Sequence, residues 1–335
     1  MAVVTLIHSE AQLRAGSATE RRSDSRERRA GSPDSPLEID RRGWRQTLKR
    51  SFVEMNRDRV PMMAGSIAYH WFLALFPSMI ALVGLTQLLG ISSSLLHTLV
   101  RGVDKAVPPG ASGVIAGALK AAHGRTSGAV VATGVAIAVS IWSASSGMTV
   151  VESGLDVAYE VPGERKFVQK RLMAFVMMLV MLVLGGVAAA LAVFGGPIGS
   201  AFRGLVPLPG LLFSIGWGVV RVVATLVVIS LLLALIYCFA PNRKAPKWQW
   251  ISAGSVAGAV IWLAASFALS LYVTAFGSYG RTYGAFAGVA LLLFWFYLTA
   301  LAILLGGQIN AEIERQVQIE GGETGGTPPQ DAPAA

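Results

Sequence analysis

The sequence predicts an all-α polytopic membrane protein, with six transmembrane helices, an N-terminal interfacial helix and an extracytoplasmic amphipathic helical segment. Three observations carry that reading. Apolar residues (AVILMFWYC) make up 53% of the 335 and charged residues only 14%, where a soluble domain carries roughly 25% charged. Six apolar stretches reach the ~20 residues that cross ~30 Å of hydrocarbon at 1.5 Å per residue. Lys and Arg concentrate in alternate loops. A disordered chain, a coiled coil and an ordinary water-soluble enzyme are excluded, since one soluble core of this size cannot hide that much apolar surface.

The elements follow in chain order. Residues 1–40 are a basic tail of Arg, Ser, Asp, Glu, Gly and Pro, too polar to bury themselves and expected to be disordered. Met1–Glu10 has too short an apolar stretch for a signal peptide. The membrane domain spans 41–316. It opens with Trp44, Leu48, Phe52 and Met55 at helical spacing among Arg41, Arg42, Arg45, Lys49 and Arg50. That pattern lays an apolar face among headgroups with cations on anionic lipid, so Trp44, Arg45 and Lys49 are lipid-interface candidates. The spans are about 62–89, 128–151, 172–194, 211–240, 251–276 and 285–305. They are continuous apolar runs without the alternation of barrel strands, and a helix pairs every backbone amide inside lipid. Between the first two, residues 91–127 divide at Pro108-Pro109-Gly110 into two short amphipathic helices, a cap over the outer side. After the fourth span, Asn242 and Arg243 form a turn behind Pro241. Arg243 and Lys244 with Trp248 read there as an interface anchor. Residues 317–335 are a second solvated tail.

With the N-terminus in the cytoplasm, twenty-one Lys and Arg fall on the cytoplasmic side and six outside. Both termini are therefore expected in the cytoplasm, in a bacterial plasma membrane.

Chemistry is sparse. Cys238 is the single cysteine, so no disulfide forms within the chain. The four histidines (His8, His70, His97 and His123) make no HxH or HxxxH motif, and there is no DxD pair. No catalytic constellation, metal site or cofactor is expected. A GxxxxGK[ST] loop is absent, which argues against direct drive by ATP. The basic tail serves topology and lipid binding, with no nucleic-acid partner expected.

The candidates are ionisable or polar groups in or beside the spans, which are costly in lipid and usually face the bundle interior. His70 is a proton relay or a packing group. Arg221 snorkels outward, or faces inward to meet an anion. Pro77 removes a backbone bond and kinks the first span. Glu152, Asp156 and Glu160 recur at i, i+4 and i+8, either a gating face or a solvated extension balanced by Arg165, Lys166 and Lys170. Gly254 with Gly258, and Gly280, Gly284 and Gly288, place small faces where helices touch, within the bundle or in a homo-oligomer.

Several motifs agree in order: MMAGSIAYHWFLALFPSMIAL at 62–82, WSASSGMTVVESGLDVAY at 142–159, Lys170-Arg171-Leu172, Ala240-Pro241-Asn242-Arg243, and Tyr283-Gly284 through LLLFWFYLTALAILLGGQIN at 291–310. As a set, over about 45–315, they resemble the YihY/BrkB family of bacterial inner-membrane proteins. The chain departs from the family pattern at Asp156 and Gln308. The resemblance implies a six-span protein of envelope integrity and transport of an envelope lipid or similar amphiphile. Asn310, closing the last motif, joins the gating candidates. Older family labels also say ribonuclease, which no residue constellation here supports. The sequence thus points to a non-enzymatic, flippase-like exporter of an anionic amphiphile, or to an envelope scaffold without transport.

Overall fold

The computed structural model describes residues 41–88, 129–163, 165–203, 209–243, 248–275 and 285–320. The tail 1–40, the segment 91–127, Lys244, Gly280, Gly284 and the chain beyond 320 lie outside the described residues.

Seven helices carry the described chain: α1 (Arg41–Arg57), α2 (Val60–Leu88), α3 (Ala129–Ala158), α4 (Phe167–Phe202), α5 (Gly210–Phe239), α6 (Trp248–Ala275) and α7 (Ala285–Glu320). There is no strand among the described residues. Helices α2 to α7 are each long and apolar enough to cross a membrane. Helix α2 continues unbroken through Pro77, and Ser78 Oγ donates to the Ala74 carbonyl at 2.6 Å.

Each span packs on its neighbour in sequence, and α7 returns to α2 to close the ring. α7 also reaches α3 and supports α1. α1 turns Gly43, Thr47 and Ser51 inward and leaves Leu48 and Phe52 exposed, Phe52 at 68%. Small residues on the inner edge allow close approach to α7, while the outward apolar stripe, with exposed Arg45 and Lys49, keeps its amphipathic character. Trp44 packs beside Ile309 and Ile313 of α7.

Helix ends have local causes. At the end of α3, Val161 N–H donates to the Asp156 carbonyl and Glu160 N–H to that of Val157. Glu160 takes φ 49°. This is the double bond pattern of a left-handed C-terminal cap, usually given to glycine. Arg59 also takes a left-handed conformation (φ 53°), with its N–H donating to the Asn56 carbonyl, where the chain turns from α1 into α2.

Packing is uneven along the bundle axis. The core joins Ile67 of α2, Val151 and Leu155 of α3, Ile236 and Tyr237 of α5, and Leu304 of α7. All buried residues of α5 fall between Ile229 and Cys238, and none lies in its first half. The end nearest α1 is tightly closed; at the opposite end α2 and α7 still bury Met79 and Leu292, while the first half of α5 buries nothing.

Candidate functional site

A polar layer seals the α1 end. Its centre is Glu152 near the end of α3, with a side chain 1% exposed, paired to Arg165 of the α3–α4 connection at 2.5 Å. The other Arg165 donors reach the carbonyls of Phe239, Ala240 and Pro241. The last carbonyls of a helix lack intrahelical donors. Here a guanidinium from a distant loop supplies them and complements the negative helix end. One side chain thereby ties α3, its following loop and the end of α5. One turn further along α3, Asp156 accepts the backbone N–H of Asn242 at 2.7 Å.

The second half of the layer belongs to α7. Asn310, fully buried, donates to Tyr159 Oη at 2.9 Å and accepts from Gly254 N–H at 3.3 Å. Arg243 pairs with Glu314, and its guanidinium lies 3.7 Å from the centre of the Tyr159 ring. Burial pushes the Tyr159 phenol above its ordinary range; Glu314 adds to the shift, while Arg243 and Asn310 oppose it. The phenol is therefore a neutral hydrogen-bonding group at any physiological pH. Towards α1, Arg50 pairs with Glu312 at 3.2 Å and donates to Gln316. Gln308 Nε2 donates to Asp58 at 3.2 Å.

Burial raises Asp58 above the usual carboxylate range, with Glu54 and Glu160 adding and the Gln308 hydrogen bond and Arg57 opposing. A raised acid favours the folded state when protonated, so its ionisation costs stability as pH rises through the shifted value. Asp58→Asn keeps an acceptor for Gln308 and removes that cost. Its melting temperature in detergent is expected above wild type near pH 7, with the gap closing as pH falls into the ordinary carboxylate range. A gap that widens on acidification overturns the sign.

The structure brings together only part of the expected set. Glu152, Asp156 and Asn310 meet in this layer. Glu160 does not share their face: α3 ends at Ala158, and the left-handed turn sends Glu160 out to 71% side-chain exposure, 3.5 Å from Arg315. The solvated reading fails for Glu152, which is buried. Arg243, expected at the lipid interface, is turned inward onto Glu314 and Tyr159. Trp248 begins α6. His70 is half-buried in α2, its Nδ1 2.8 Å from the Ser66 carbonyl one turn earlier. Ser143 of α3 donates to its backbone carbonyl. Arg221 lies on α5 against Gly195 of α4. No bond links His70, Pro77 or Arg221 to the polar layer among the described residues. Gly254 and Gly258 face α5 and α7 of the same chain, so their surfaces are used within the protomer. Gly288 is also buried.

Sequence reading missed Tyr237, Glu312 and Glu314, and gave Tyr159 and Gln308 no role in a site. The signal was present: beyond residue 305 the run GGQINAEIERQ keeps Ile309 and Ile313 one turn apart, beside Gln308 and Glu312 at the same spacing. Such spacing continues a helix with one apolar and one polar stripe. Among the described residues, no group of three or more His, Cys, Asp or Glu is placed to hold a metal ion.

A family model described as virulence factor BrkB matches residues 51–331. The chain is 29% identical over 272 residues to the ribonuclease-like protein YfkH of Bacillus subtilis, covering 81% of this chain and 96% of that protein. It is 28% identical over 269 residues to a UPF0761 membrane protein of Aeromonas salmonicida, covering 78% and 88%. A UPF0761 membrane protein of Laribacter hongkongensis is 24% identical over 275 residues, or 81% of this chain and 60% of that longer protein. No solved structure matches.

Proposed function

The chain belongs to the BrkB family of membrane proteins, and from that premise we propose that it is a non-enzymatic carrier that moves an anionic amphiphile across the bacterial plasma membrane. The observation that supports this most is the unequal packing. α5 is buried only near its α1 end, where Glu152, Arg165, Arg243, Glu314 and Asn310 interlock. Buried ion pairs are poor stabilisers compared with apolar packing. A layer built from them is suited to opening, and the positive-inside count puts it on the cytoplasmic side. The described conformation is then a carrier closed towards the cytoplasm. Drive comes from a gradient or a partner protein.

The test is reconstitution of the full chain in phosphatidylcholine vesicles that contain labelled phosphatidylglycerol, with and without an imposed pH gradient. The expected result is faster loss of label from one leaflet than in protein-free vesicles. Unchanged label distribution under both conditions sinks the carrier and favours an envelope scaffold. One observation already leans that way: His70 has the Ser66 carbonyl within hydrogen-bond distance and packs edge-on to Tyr69, as a packing group does.

A further inference from the structure

Away from α1, where the first half of α5 buries no residue, α4 and α5 touch through a glycine face. A Cβ on Gly195 would stand 2.4 Å from Arg221 Cδ, and one on Gly199 would stand 2.3 Å from Trp217 Nε1. Glycine alone admits both side chains. Trp217 is fixed there: its indole N–H donates to the Gly195 carbonyl at 2.5 Å. The ring stacks on Phe213 (centroids 6.2 Å apart, 8° between planes) and on Phe202 (5.9 Å, 28°). The Arg221 stem lies along Gly195, and its Nη1 points past Gly196.

Depth follows from helix rise. Arg221 lies about 27 Å along α5 from Phe239, and Gly195 about 36 Å along α4 from Arg171, at ~1.5 Å per residue. Arg171 donates to Ser146 and the Trp142 carbonyl of α3. Measured from Phe239, that depth leaves the Arg221 backbone a few ångströms short of the far edge of ~30 Å of hydrocarbon, close enough for its long side chain to snorkel into the headgroup zone away from α1. Tryptophan favours that zone. Every ion pair among the described residues is at the α1 end. Arg221 pairs with no carboxylate among them. Outward beside it, Val220 and Val223 offer an exposed apolar surface.

We infer that Arg221 and Trp217, seated on the glycine face of α4, bind the phosphate headgroup of an anionic phospholipid in the leaflet opposite α1. The planar fork of the guanidinium matches two phosphate oxygens. The Phe213–Trp217–Phe202 stack walls the headgroup, and the acyl chains run along Val220 and Val223. The site rests on the reading that the chain handles anionic amphiphiles, and it names where the headgroup docks.

The experiment is native mass spectrometry of the full chain released from nanodiscs of phosphatidylcholine with phosphatidylglycerol. Arg221→Gln is expected to lower the fraction retaining phosphatidylglycerol about tenfold, the effect of losing one charge-assisted contact. Gly195→Ala, which keeps the charge but displaces its stem, is expected to fall as well. Arg57→Ala, an exposed cation at the other end, is expected to leave retention unchanged. Equal retention in wild type and Arg221→Gln overturns the site, as does displacement of the lipid by millimolar inorganic phosphate, which marks a free-anion site. If Arg221→Gln is not monodisperse, unchanged retention in Gly195→Ala overturns it. Retention that depends on Arg221 without any lipid movement in vesicles removes the carrier reading and leaves the site standing.

Discussion

Arg165→Ala is expected to cost about 3–5 kcal/mol, the scale for breaking a buried ion pair from one side. The substitution leaves the Glu152 carboxylate, 1% exposed, without its cation. It also strips donors from the carbonyls of Phe239, Ala240 and Pro241 at the end of α5. Unfolding in detergent, followed by tryptophan fluorescence, reads the loss. Arg165→Lys is expected to recover only part of it, because an ammonium is a point charge and cannot reproduce the fork. The double variant Arg165→Ala, Glu152→Leu is expected to be more stable than Arg165→Ala alone, since no orphan carboxylate remains. If the single and double variants are equally unstable, helix capping and not the ion pair is what Arg165 contributes.

Gly254→Ala is expected to destabilise by about 1–3 kcal/mol, the usual range for overpacking, against a helix-propensity gain of ~1 kcal/mol. The new Cβ would stand 2.4 Å from Asn310 Cβ and 2.6 Å from the Gly306 carbonyl oxygen. The second contact is backbone, so α6 and α7 must separate. Separation pulls Asn310 away from Gly254 and disturbs its bond to Tyr159. Gly306→Ala meets Tyr237 Oη and the Gly254 carbonyl in the same way, and is expected to behave alike. Gly65→Ala and Gly216→Ala are the controls, with nothing within 4 Å of the added carbon. They are expected to be neutral or slightly stabilising. A Gly254→Ala protein as stable as these controls removes the close α6–α7 contact from the account.

The contrast between these residues shows what was legible beforehand. Gly254 and Gly258 announced close packing through their spacing, but their partner was hidden. Gly306 falls one residue past the expected end of the sixth span, so no packing role was read from it. Glu152 and Asp156 were visible as acids one turn apart. That Glu152 is buried depends on Arg165 folding back across the end of α5, a contact between residues far apart in sequence. Glu160 fits the same spacing yet leaves the face, because the chain turns left-handed there. Arg243 looked like an interface cation by composition, and it is turned inward by a carboxylate that lies on α7. Arg221 was read from its depth alone; the glycine face that seats it belongs to another helix.

The sequence by itself determined that this is a membrane protein, that its spans are helices and that there are six of them. Those properties depend on chain length, apolar continuity and backbone hydrogen bonding, all of which act within one segment. Only the tertiary structure decided which end of the bundle is sealed, which charges are paired and which glycines are occupied. These depend on side chains brought together from separate helices, and in a bilayer, where every helix surface is already apolar, shape and a few polar contacts choose the neighbours.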